Sequence, residues 1–150
     1  MRQSDLSLLN TVFRTRLLNL LYVLRFYALS AEEQKHVVIR VLETGRTQKR
    51  QRDLRKSGAS KVNLGWHNVG LATDIGVLID GAYQTDDAKG YYLRFGLLAM
   101  AFGFRWGGNW DQDKNIGEGG ENDLGHVEYH PGFTLAQYIA AQKAGKELLV

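Results

Sequence analysis

Glycine divides this chain. Residues 1–44 contain none, and all 17 glycines lie between Gly45 and Gly145. A glycine-free stretch can run as continuous helix, whereas a glycine-punctuated one is built from short elements joined by turns. The expectation is a helical extension over residues 1–30 on a core spanning 31–150. Together the 150 residues make one catalytic-sized domain, long enough to bury a sizeable core.

Hydrophobic spacing fills in the elements. Leu6, Leu9, Phe13, Leu17, Leu20, Leu21 and Leu24 recur mostly at three- and four-residue steps and predict a helix from about Ser4 to Leu29. Ser30 followed by Glu33 reads as a capping box opening a short helical turn. The β-branched run 37–42 and residues 73–79 predict strands, with a turn at Asp80-Gly81. Helices are expected over 47–56, from Asp87 to about Phe102, and from Thr134 to about Lys146. Val127 and Tyr129 bracket Glu128 in a short strand. Helices and few strands in irregular order, without βαβ spacing, indicate an α+β fold: a small antiparallel sheet flanked by helices.

The chain has no cysteine, which excludes disulfides, thiol nucleophiles and Cys-ligated zinc. Any metal site must come from His, Asp and Glu. Residues 1–61 carry 13 Lys/Arg against 5 Asp/Glu, and residues 62–150 carry 6 against 11. The basic half would attract an anionic surface such as a cell envelope, and the acidic half would suit a cation. The Arg/Lys-dense run 46–61 has no interleaved aromatics, so nucleic acid is not expected as a partner.

Two segments carry chemistry. In 66–74, His67 and Asp74 stand seven apart; in 123–128, Asp123 precedes His126 by three. Hydrolytic zinc commonly takes three His or carboxylate ligands and leaves the fourth position to water. His67, Asp74 and His126 supply that count, and Asp123 could serve as general base. The alternative reading makes His67 a loop cap and His126 an ordinary strand histidine. His130 is four residues beyond His126, roughly 13 Å away along a strand, and is not expected to be a ligand.

The ordered set Gly45-Arg46-Thr47, Gln51, Leu54, Gly58, the His67–Asp74 segment, Trp106-Gly107-Gly108-Asn109-Trp110 and Asp123-Leu124-Gly125-His126-Val127-Glu128 resembles a known family. It is similar to the zinc peptidases of peptidoglycan, the D-Ala-D-Ala carboxypeptidases/dipeptidases and L-alanyl-D-glutamate endopeptidases, and most to their compact phage endolysins. The resemblance implies one zinc bound by His67, Asp74 and His126 at the sheet. It makes Asp123 the catalytic base, Arg46 the stabiliser of the oxyanion, and Glu128 a residue that orients a ligand. Trp66, Asn109 and Trp110 become candidates for binding the stem peptide. Three features depart from the family pattern: Gly65 stands where Ser is usual, Asn109 where Asp is usual, and nothing before residue 30 matches.

The implied activity is hydrolysis of the L-alanyl–D-glutamate bond by a monomeric endolysin. The alternatives are a D-Ala-D-Ala carboxypeptidase or dipeptidase, and a non-catalytic wall- or polyanion-binding module. With no convincing secretory signal, the expectation is synthesis in the cytoplasm and access to the wall through a membrane pore. The loop 111–121 is read as a mobile substrate-binding loop, with Ca²⁺ binding by its oxygen donors as the alternative. The N-terminal helix is expected to pack on the core, a membrane-active role being its alternative.

Overall fold

The computed structural model describes residues 4–58, 64–113, 115–116, 122–146 and 148. The first helix starts later than its leucine spacing suggests. Asp5 caps a single 3-10 turn over Leu6–Leu8, and the Asn10 side chain then accepts from the Val12 and Phe13 N–H groups to open α1, Thr11–Val23. α1 runs into a π-helical turn, Leu24–Ala28, closed by the Leu29 N–H on the Leu24 carbonyl. Its inner face buries Phe13, Leu17, Leu20 and Leu24. Phe13 packs edge-on against Phe104 and parallel to Tyr129, so the extension and the rest of the chain share one hydrophobic cluster.

Ser30 and Glu33 do form reciprocal capping bonds at the start of α2, Glu33–His36. β1, Val37–Glu43, follows directly, and Thr47 caps α3, Gln48–Lys56. A 3-10 turn, Trp66–Val69, leads into β2, Ala72–Ile79, the central strand. Two very short strands escaped the sequence pattern: β3, Ala82–Tyr83, and β4, Arg105–Trp106. α4, Tyr91–Ala101, lies between them. It begins four residues later than expected because the Asp87 carboxylate accepts the Tyr92 and Leu93 N–H groups from outside the helix. β5 is His126–Glu128, and Thr134 caps α5, Leu135–Lys143.

The sheet is antiparallel throughout, in the order β1-β2-β5-β4, with β3 paired to the C-terminal end of β2. With helices around it, this is the α+β architecture expected. Among the described residues no helix is long and apolar enough to cross a membrane.

Candidate metal centre

The sheet register builds most of the site. Glu43 on β1 is the cross-strand partner of Asp74 on β2, and Asp74 is the partner of His126 on β5. Directly opposed residues project from the same face of a sheet, so these three form a row across it. A bulge permits this. Val41 pairs with Ile75 and Glu43 with Asp74, leaving Leu42 as the extra residue that brings Glu43 into the row.

His67 arrives from outside the sheet, on the 3-10 turn before β2. Its carbonyl accepts the Arg46 N–H, and the neighbouring Asn68 amide donates to the Arg46 carbonyl. Gly70, in the left-handed conformation, ends the turn; a Cβ there would lie 2.5 Å from the Leu8 carbonyl oxygen.

The three side chains converge. Asp74 Oδ1 lies 2.7 Å from His126 Nδ1 and 3.2 Å from His67 Nε2, and the two ring nitrogens are 3.3 Å apart. Ligands about 2.1 Å from a tetrahedral ion stand about 3.4 Å from one another, so the triangle fits a small divalent ion with one face open. The donor set, two imidazoles and one carboxylate, is one that zinc accepts. His126 Nε2 donates to Glu128 Oε1 at 3.1 Å, which leaves Nδ1 as the nitrogen turned to the centre. His67 Nδ1 is buried without a hydrogen-bond partner among the described residues.

The metal-free site is strongly polarised. Burial opposes a charged His126, but hydrogen bonds to Asp74 and Glu128 overcome it and push the imidazole up to about 10. Burial likewise opposes ionisation of Glu128, and the bonds from His126 and His130 outweigh it, holding the carboxyl at about 2. Asp74 is driven far below the ordinary carboxylate range by the same two histidines that would share its metal, again against burial.

Asp123 stands beside this centre, where a cleft of about 230 Å³ is lined by Asp74, Ile75, Tyr92, Asp123 and Leu124. The residue is exposed to solvent. Partial loss of hydration nevertheless raises its carboxyl above the usual value, with the Asp74 charge adding to the effect. Its backbone is held by the His126 N–H, which donates to the Asp123 carbonyl, and by close packing on Gly107. A Cβ on Gly107 would meet that carbonyl oxygen at 2.2 Å. Trp106, the preceding residue, is core: its indole N–H donates to the Leu124 carbonyl.

Arg46 reaches the centre from just beyond β1. Its Nη2 is 2.9 Å from Glu43 Oε2 and 3.9 Å from Asp74 Oδ2, and its Nη1 donates to Gln51. Glu43 is 1% exposed and also accepts from Arg50 Nε. Burial raises its carboxyl, but Arg46 and Arg50 prevail and keep it ionised. Reading the sequence missed Glu43 and Arg50. The one signal was an acid closing a β-branched strand three residues before Arg46.

The substrate-binding candidates scatter. Trp110 lies beside the centre, its ring 5.3 Å from that of His126. Trp66 stacks on His130 and meets Tyr138 edge-on. Asn109 is buried, its amide donating to the Asp113 carbonyl and to Met100 Sδ. Much of the loop 111–121, and with it the Ca²⁺ expectation, lies outside the described residues.

Residues 58–129 match the sequence pattern of the family described as D-alanyl-D-alanine carboxypeptidase. The matched stretch, just under half of the chain, carries most of the site and is similar to that peptidase family. The matched stretch includes His67, Asp74, Asp123, His126 and Glu128, while Glu43 and Arg46 precede it. Among solved structures, the Serratia marcescens L-Ala D-Glu endopeptidase ChiX has a similar fold, with a TM-score of 0.57 over 92% of this chain and 93% of that one. At 20% identity the likeness is one of fold. No curated protein matches the chain by sequence.

Proposed function

We propose that the chain is a zinc-dependent peptidoglycan hydrolase of endolysin type, cutting the L-alanyl–D-glutamate amide of the stem peptide. The observation that carries this is the convergence of His67 Nε2, Asp74 Oδ1 and His126 Nδ1 beside the Asp123 carboxylate. The fold shared with an L-Ala D-Glu endopeptidase over nearly the whole of both chains supports the choice of bond.

His67, Asp74 and His126 would hold the ion. Bound there, zinc supplies a Lewis acid and brings the pKa of a coordinated water to about 7. Asp123 takes a proton from the attacking water as its oxygen closes on the amide carbon. The same carboxyl then passes that proton to the departing amine nitrogen, and its raised pKa suits both transfers. Arg46 presents a permanently charged guanidinium to the carbonyl oxygen as negative charge develops there. Glu43 and Gln51 fix that guanidinium. Glu128 holds the His126 Nε2–H, keeping Nδ1 free as a donor to metal.

The family description favours a second reading, removal of terminal D-Ala by a carboxypeptidase. Mass spectrometry of digested muropeptides separates the two. Newly freed D-glutamate amino termini on intact tails are expected; loss of terminal D-Ala would establish the second reading. Elemental analysis should find about one zinc per chain, with chelator-sensitive loss of wall turbidity. Absence of both would leave a wall- or polyanion-binding module.

A further inference from the structure

Two of the three ligand-bearing residues are fixed by the sheet itself, since Asp74 and His126 are ladder partners on β2 and β5. His67 is not. It sits on the 3-10 turn Trp66–Val69, and the described residues give its Nδ1 no hydrogen-bond partner to set the ring. A metal-binding histidine usually has such a partner. Backbone bonds tie the turn to Arg46, and a side-chain contact joins it to the end of β5.

His130 makes that contact from just beyond the end of β5. Its imidazole lies on the Trp66 indole, with ring centroids 4.0 Å apart and planes 26° from parallel. Trp66 is the residue immediately before His67 and is braced edge-on by Tyr138 of α5. The other contact of His130 runs the opposite way. Its Nε2 is 2.8 Å from Glu128 Oε2, and Glu128 Oε1 accepts from His126 Nε2. One side chain therefore touches the support of both histidine ligands: the turn that carries His67 through Trp66, and the ring of His126 through Glu128.

We propose that His130 is a positioning residue for the metal centre, clamping the His67 turn to β5 by its stack on Trp66 while fixing Glu128, and through it the orientation of His126. The proposal rests on the metal-centre reading above. His130 itself does not reach the ligand triangle, and Glu128 occupies the space between it and His126.

The test compares zinc affinity, by competition with a chromophoric chelator, in the wild type, His130→Ala, His130→Phe and His130→Gln. The visible spectrum of the Co²⁺-substituted proteins is recorded alongside. Loss of outer support around a metal ligand weakens metal binding about 10–100-fold, and H130A is expected in that range with an altered Co²⁺ band. H130F keeps the stack without the hydrogen bond, and H130Q keeps a donor without the ring. Each should recover part of the affinity, which a variant acting only on the fold would not do. Should H130A unfold, the graded order of H130F and H130Q against the wild type carries the same comparison. Affinity within about twofold of wild type and an unchanged Co²⁺ band in the folded variants would overturn the clamp while leaving the metal centre standing. A wild type that binds neither ion would remove both.

Discussion

Asp74 and His126 face each other across β2 and β5, with Asp74 Oδ1 2.7 Å from His126 Nδ1. In the metal-free protein that contact is an ion pair, because His126 titrates at about 10. Zinc must therefore displace a proton from His126 at neutral pH. Titration calorimetry at pH 7 in buffers of different ionisation enthalpy should show about one proton released per zinc. Apparent affinity should rise with pH, about tenfold per unit between pH 7 and pH 10. Binding independent of pH over that range would contradict the ion pair.

The same groups shape stability without metal. Glu128 is lowered from 4.5 to about 2, so its contribution is complete above pH 4.5 and is lost as the pH falls towards 2. His126 is raised from 6.5 to about 10, so its contribution is complete below pH 6.5 and is lost as the pH rises towards 10. Thermal unfolding in the presence of chelator should give its highest midpoint between about pH 4.5 and 6.5. Glu128→Gln should flatten both limbs, and an unaltered profile in that variant would refute the assignment.

Asp123 and the ligands separate by what each loses. Asp123→Asn should keep its zinc and its fold while losing about 10²–10⁴-fold in turnover, the range of a general base. His67→Ala should lose the metal as well. Zinc content measured beside wall turbidity distinguishes them. Full activity in D123N would remove Asp123 from the chemistry.

Glu43 makes a different prediction. Glu43→Ala leaves Arg46 and Arg50 without their shared carboxylate in a buried setting, a change that destabilises by about 3–5 kcal/mol when one partner of a buried pair is removed. Glu43→Gln retains an acceptor and should fold. It is expected to lower kcat with little change in KM or zinc content, since in the proposed mechanism Arg46 acts on charge that develops during reaction. A KM effect alone would make Arg46 a substrate-binding group instead.

How much of this the sequence disclosed depended on range. Ser30–Glu33, Thr47 and Thr134 reveal helix starts because a cap is settled within four residues. The start of α1 was obscured because Leu6 and Leu9 continue the apolar spacing past Asn10, where the side chain begins a new helix. β3 and β4 are two residues each, too short to have a period. His67, Asp74, Asp123 and His126 stood out because their segments fall in the order of a known family; with 16 acidic residues in the chain, spacing alone left an ordinary structural reading open. Glu43 did not, because its meaning lies in a register that only pairing with β2 defines. The pairing of Trp66 with His130 joins residues 64 positions apart and has no local signature.

The extra residue in β1 also determines which edits the site can absorb. Deleting Leu42 would set Glu43 directly after Val41, and an uninterrupted ladder would still pair it with Asp74. Every apolar partner from Val37 to Val41 would keep its place, so the edited protein would retain its hydrophobic layer. With Leu42 kept but drawn into the ladder, Leu42 would instead stand opposite Asp74 and Glu43 opposite Thr73, turning the carboxylate that holds Arg46 to the other side of the sheet. The row thus tolerates the loss of its extra residue but not that residue's entry into the ladder.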